Sequence, residues 1–159
     1  MENQFIEMNQ IGICTRDLDR SIAAMKAVFG CEPSFVGETL RDGRKYFGKE
    51  GCFAAKIALF YFCNIQFEFM MPTEGESIWQ TFLDEHGEGI QHVSYRVKSF
   101  EAAAQQMAQC GALPSQQGLA MARPVRWDFF ATEPLLGFSV ECSSPMENPQ
   151  EHPKYPFEK

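Results

Sequence analysis

Apolar and polar residues follow one another along this chain in two rhythms. In residues 8–14, Ile11 and Ile13 fall on one face and Gln10, Gly12 and Cys14 on the other, the period of two expected of a strand. The rhythm then lengthens. Leu18, Ile22, Met25 and Val28–Phe29 recur at helical spacing, with Thr15 or Asp17 as a cap and Gly30 as a stop. Residues 33–39 predict a strand, and Asp42-Gly43 a hairpin turn. Residues 45–51 read as a loop or a strand edge. Residues 53–62 and 64–71 predict two strands joined tightly at Cys63-Asn64, the second ended by Pro72.

The second half repeats this order. A linker over 73–89 carries a short helix whose buried side is Ile78, Phe82 and Leu83, closed by Gly87 and Gly89. Residues 90–97 predict a strand, and 99–111 a helix capped by Ser99 and stopped by Gly111. Residues 113–120, 125–132 and 138–144 predict three more strands. The sequence after Pro145 is polar and Pro-rich, and predicts an extended or disordered arm. The expected division is therefore a first module at 8–72, a linker at 73–89, a second module at 90–145 and a tail at 146–159.

The two modules superimpose as strand, helix, three strands. NQIGICTRDLDRSIAAMKAVFG lies on QHVSYRVKSFEAAAQQMAQCGA without a gap, which puts Gln10 on His92. FEFMMP lies on VECSSP, which puts Glu68 on Glu141. The offsets are 92 − 10 = 82 and 141 − 68 = 73, so the intervening loops differ by nine residues.

In each of these four strands one face is apolar and expected to pack on helices: Ile11/Ile13, Phe67/Phe69, Val93/Tyr95/Val97 and Phe138/Val140/Cys142. The other face carries Gln10, Glu68, His92 and Arg96, and Glu141. A solvated sheet face has the same pattern. Recurrence at equivalent places in a duplicated module favours a shared site if the strands curve into a cleft. Two carboxylates, an imidazole and an amide oxygen form an O₃N donor set, and adjacent carboxylates repel unless a cation joins them. Such a set suits Zn²⁺, Ni²⁺, Co²⁺ or Mn²⁺ with water completing the shell. Arg96 is the candidate contact for an anionic substrate.

Composition narrows the partners. A net charge of −7 without a basic run excludes the electrostatics of nucleic-acid binding. The polar start MENQFIEMNQ lacks a signal-peptide pattern, and Cys52 to Met71 is broken by Lys56, Asn64, Gln66 and Glu68, so neither export nor a membrane span is expected. Six cysteines without a CxxC pair are expected to be reduced thiols in a cytoplasmic protein.

The stretch IQFEFMMPTEGESIWQTFLDEHGEGIQHVSYRV, with the NQIGI start and the GFSVEC finish, resembles the vicinal oxygen chelate (glyoxalase/bleomycin-resistance/dioxygenase) superfamily, and within it methylmalonyl-CoA epimerase-like proteins. The resemblance spans about residues 8–144. It implies an α+β fold in which two paired βαβββ modules form a cup-shaped antiparallel or mixed sheet with helices outside. It places the family's four metal positions on Gln10, Glu68, His92 and Glu141, and implies a homodimer. The implied reaction is metal-dependent isomerisation or epimerisation of an acyl-CoA or α-hydroxy-carbonyl substrate through an enediolate. Glu141 is the candidate base, and Glu50 the candidate for a second base that the epimerases carry in a loop whose equivalent falls near Cys52. A glyoxalase I-like lyase is the alternative that the Gln, Glu, His, Glu set favours. A non-catalytic small-molecule binder of the same fold is the third.

Overall fold

The computed structural model describes residues 2–120 and 125–145, with the backbone alone for Pro145. The expected arm at 146–159 lies outside the described residues. The chain runs β1 (Phe5–Cys14), α1 (Leu18–Phe29), β2 (Phe35–Glu38), β3 (Arg44–Tyr46), β4 (Lys49–Gly51), β5 (Ala54–Phe62), β6 (Ile65–Glu74) and α2 (Ile78–His86). It continues as β7 (Gly89–Val97), α3 (Phe100–Gln109), β8 (Pro114–Leu119), β9 (Val125–Phe130), α4 (Glu133–Leu136) and β10 (Ser139–Pro145).

The helices begin and end for local reasons. The side chains of Asp17, Ser77 and Ser99 each accept the backbone N–H three residues on, and so satisfy a donor that the first turn leaves free. Gly30 closes α1 in the left-handed conformation, its N–H donating to the Lys26 carbonyl and the Cys31 N–H to that of Met25. The short α4 was not legible in the periodicity. It starts with Glu133-Pro134 and ends at Gly137, φ +82°.

All ten strands belong to one mixed sheet in the order β2-β5-β6-β1-β7-β10-β9-β8-β3-β4. The strands of the two halves meet where β1 and β7 pair antiparallel. The β3–β4 hairpin, which the sequence suggests only as a loop or strand edge, docks on β8 at the far end. Its position shows that the sheet curls. In a flat sheet β4 and β5 would stand eight strand spacings apart, about 38 Å. Gly51 and Ala54 are joined by three peptide units, a reach of roughly 11 Å. The two ends of the sheet therefore come together, and the sheet encloses an inner face.

Side chains sort accordingly. Outside, Phe67 and Phe69 pack with Ala58 and Phe60 under Leu18 and Met25 of α1. Also outside, Val140 and Cys142 pack with Phe100, Ala103 and Ala104 of α3. Inside, Cys14, Phe53, Ala55, Ile57, Met70 and Phe129 pack with Ile78, Trp79 and Leu83 of α2. Trp79 touches Phe53, Trp127 and Phe129 at ring-centroid distances of 5.8, 6.2 and 6.1 Å.

Pro72 does not end its strand. β6 runs on to Glu74, with Pro72 opposite Ala55 beside a register shift that accommodates the missing N–H. All six cysteines are free. None of the described helices is long and apolar enough to cross a membrane.

Gly75 follows β6 with φ +73°, and a Cβ there would lie 2.0 Å from the Cys52 carbonyl oxygen. Gly75→Ala is expected to lower unfolding stability by about 2–4 kcal/mol, because it combines left-handed strain with a backbone clash at the seam between β4 and β5. Gly89→Ala, with open space around its Cβ, serves as the reference in urea melts and is expected to change stability by under about 1 kcal/mol.

Candidate metal centre

The four polar positions lie on four adjacent strands, β6, β1, β7 and β10. Register sets their proximity. Gln10 faces Gln66 on one side and Ser94 on the other, and Gly12 stands between Glu68 and His92. Ser139 is opposite His92, and Glu141 opposite Ser94. The strand period of two then puts all four side chains on the inner face.

His92 is fully buried and central. Its Nε2 lies 3.1 Å from Glu141 Oε2, 3.7 Å from Glu68 Oε2 and 3.4 Å from Gln10 Oε1. One ligand atom each from Glu68, His92 and Glu141 falls within 4.8 Å of the others. Two neighbours fix the orientation of this set. His92 Nδ1 lies 2.9 Å from Gln91 Oε1, an oxygen that accepts a hydrogen bond from Nδ1, and this contact orients the ring so that Nε2 points toward the carboxylates. Gln10 Nε2 donates to Gln66 Oε1 at 2.7 Å, which leaves Gln10 Oε1 facing His92. Phe129 packs edge-to-face on the imidazole at 4.8 Å.

Four side-chain atoms able to bind a cation thus converge, and apart from the proton that Glu68 retains no donor from another described side chain is recorded among them. Glu141 Oε2 is buried and makes no hydrogen bond, despite its approach to His92. Burial, then the Glu141 charge, push the Glu68 carboxyl up to about 8 from an ordinary value near 4.5, with Arg44 opposing. A divalent cation is the physical complement of such a set, so the residues fit one.

Gly12 is a part of the site that the sequence pattern does not mark. A Cβ at Gly12 would stand 1.7 Å from His92 Cε1, so the imidazole occupies the space a side chain would take. Gln91, Gln66 and Arg44 were also missed. The first two become visible only once the register is known. Arg44 sits in what reads as a turn, yet it is 1% exposed and lies on the inner face.

The other candidates lie apart from the cluster. Glu50 is exposed on β4, opposite Lys45 and on the other face of the hairpin from Arg44. Cys52 is exposed as well. The inner positions of β5 nearest the cluster are Leu59, Ile57 and Ala55, and none is a carboxylate. Arg96 is exposed and pairs with Glu7 at 3.2 Å. A cavity of about 490 Å³ lies on the outer side of the sheet, among Arg16, Asp17, Lys56 and Met71, and includes none of the four donors.

Residues 9–129 match the model of the glyoxalase/bleomycin resistance protein/dioxygenase superfamily, and the chain belongs to it. No curated protein matches the chain by sequence. Among solved structures, methylmalonyl-CoA epimerase from Mycobacterium tuberculosis superposes with a TM-score of 0.69 at 20% identity, over 92% of each chain. Streptomyces coelicolor methylmalonyl-CoA epimerase (S115T), in complex with 2-nitronate-propionyl-CoA, gives 0.68 at 18% identity, over 90% of this chain and 96% of that one. A hypothetical protein from Bacillus halodurans gives 0.65 at 20% identity, over 89% and 96%. These likenesses show the glyoxalase-like fold.

Gly12→Ala is expected to weaken divalent-metal binding about 10- to 100-fold, measured by competition with a chromophoric chelator, because it displaces the imidazole. Glu68 also sets a pH dependence. Its folded pKa lies above its unfolded one, so the native state holds the extra proton between about pH 4.5 and 8. The metal-free protein is therefore expected to lose stability as pH rises through that window and to level off above it. A metal-free chemical melt that shows stability rising across the window would contradict this.

Proposed function

We propose that this protein is a divalent-metal enzyme that moves a proton on the carbon α to a carbonyl, an isomerase-type reaction in which one carboxylate serves as the base. The observation that carries the reading is the convergence of Gln10 Oε1, Glu68, His92 Nε2 and the partnerless Glu141 Oε2 on one buried point. A bound Zn²⁺, Ni²⁺, Co²⁺ or Mn²⁺ would supply a Lewis acid for the carbonyl oxygen, where negative charge develops as the proton leaves.

The chain's own residues would do the rest. Gln91 orients the imidazole and Gln66 turns the Gln10 amide, so the donor set is organised before substrate arrives. Glu141 would take the α-proton and return it, acting as a displaceable ligand of the cation rather than a permanent one; its Oε2, which makes no hydrogen bond within the protein, supports that assignment. Trp79, Trp127 and Phe129, packed together on the inner face, would help to exclude water from it.

Methylmalonyl-CoA epimerase-like chemistry fits the family and the acyl-CoA ligand of the similar Streptomyces structure. Epimerisation asks for a base on each face of the carbon. The inner positions of β5 offer no carboxylate, and Glu50 is exposed away from the cluster. A single base favours proton return to one face or transfer between neighbouring carbons. That is the observation favouring a second reading, a glyoxalase I-like lyase acting on a thiol adduct.

The test is solvent deuterium exchange by the metal-loaded protein, with methylmalonyl-CoA and with the methylglyoxal–glutathione adduct. Deuterium at the α-carbon with retention exceeding inversion, or formation of the lactoyl thioester, is expected. Glu141→Gln is expected to lower the rate at least about 100-fold. Metal-loaded protein that exchanges neither substrate class would leave a binding protein of the same fold.

A further inference from the structure

Arg44 is the buried charge that the metal centre does not use. It is 1% exposed, its guanidinium lies 5.1 Å from the Phe53 ring and 5.0 Å from the Trp127 ring, and Nε and Nη1 have no hydrogen-bond partner. No carboxylate oxygen of the described residues comes within 4.0 Å of it, although it feels the charge of Glu68. Ring contacts attract a cation through the faces of the rings and leave its in-plane N–H groups unsatisfied. The place is built for it. A Cβ on Gly118 would stand 2.5 Å from the Trp127 ring, so Gly118 lets the indole settle under the guanidinium.

Two further donors in the same inner cluster lack acceptors. They are Trp79 Nε1, whose ring neighbours Trp127, and Gln116 Nε2, whose Oε1 accepts the backbone N–H of Ile78. The inner face thus has an acceptor pole at the four metal-binding residues and a donor pole around Arg44. Charge points the same way. Two carboxylates and a divalent ion cancel, and Arg44 then leaves one uncompensated positive charge.

We propose that Arg44 is the specificity-determining residue of the site, and that it takes a carboxylate on the same ligand whose carbonyl end meets Gln10, Glu68, His92 and Glu141. The substrate class is then a carbonyl compound bearing a separate carboxylate. This inference rests on the metal-site reading given above.

The experiment uses metal-loaded protein, with its metal content checked by elemental analysis, and calorimetric titration with hydroxamates as probes. Acetohydroxamate reports the metal alone. The monohydroxamates of malonic, succinic and glutaric acid, each beside its terminal carboxamide, report the donor pole. For at least one length the carboxylate is expected to bind roughly tenfold or more tightly than its carboxamide. Arg44→Gln is expected to erase that preference, with metal content and acetohydroxamate affinity unchanged. Equal affinities at all three lengths in wild type, or a preference that survives in Arg44→Gln, would overturn the proposal.

Should Arg44→Gln not fold, the Arg44 Nε–Hε resonance in wild type provides the readout. It is expected to shift with the carboxylate probe and not with the carboxamide, and the absence of a shift overturns the proposal. Failure of wild type to take up metal would defeat the metal-site reading. Arg44 is then read separately by titrating the metal-free protein with glutarate and following the same resonance.

Discussion

Four side-chain atoms able to bind a cation converge at the centre of a buried sheet surface, and the rest of the structure is arranged around that fact. His92 Nε2 has carboxylate or amide oxygens at 3.1, 3.4 and 3.7 Å, and Glu141 Oε2 has no hydrogen bond. Left alone, such a set is destabilised by desolvation and by like charge, which is why the Glu68 carboxyl holds its proton to about pH 8. A divalent cation removes both penalties at once. The neighbours that hold the donors in place, Gln91, Gln66 and the bare Cα of Gly12, have one consequence in common: the donor set keeps its geometry.

The fold delivers these atoms through register and closure. Four central strands contribute one donor each, and the curl that brings β4 back to β5 turns their shared face into an interior. Closure also carries Arg44 from the first half of the chain onto β8, across the interior from strands that hold the metal donors. An open sheet with the same sequence pattern would leave the polar face in water.

Much of this was legible in the sequence. The duplicated pattern placed Gln10 on His92 and Glu68 on Glu141, and the period of two put them on one face, which is where they converge. Strands and helices stood out because each has one strongly apolar face. The edges of the reading failed where tertiary pairing overrides local signal. Pro72 lies inside a strand because a register shift beside Ala54 and Ala55 absorbs its missing donor. β3 and β4 are three residues each, pair with each other, and join the sheet only through β8, more than sixty residues from β3. Arg44 looked like part of a surface turn for the same reason. Glu50 was a candidate by proximity in sequence, but the hairpin's alternation turns it outward. Arg96 shares strand parity with His92, yet near the end of β7 it pairs with Glu7 in solvent.

The most direct test of the central claim is a crystal of the Co²⁺-loaded protein measured at the cobalt absorption edge. The account predicts one anomalous peak bounded by His92 Nε2, Gln10 Oε1 and one oxygen each of Glu68 and Glu141, at ligand distances of about 2.0–2.2 Å. A peak elsewhere, or none there with the four side chains still converged, would contradict it.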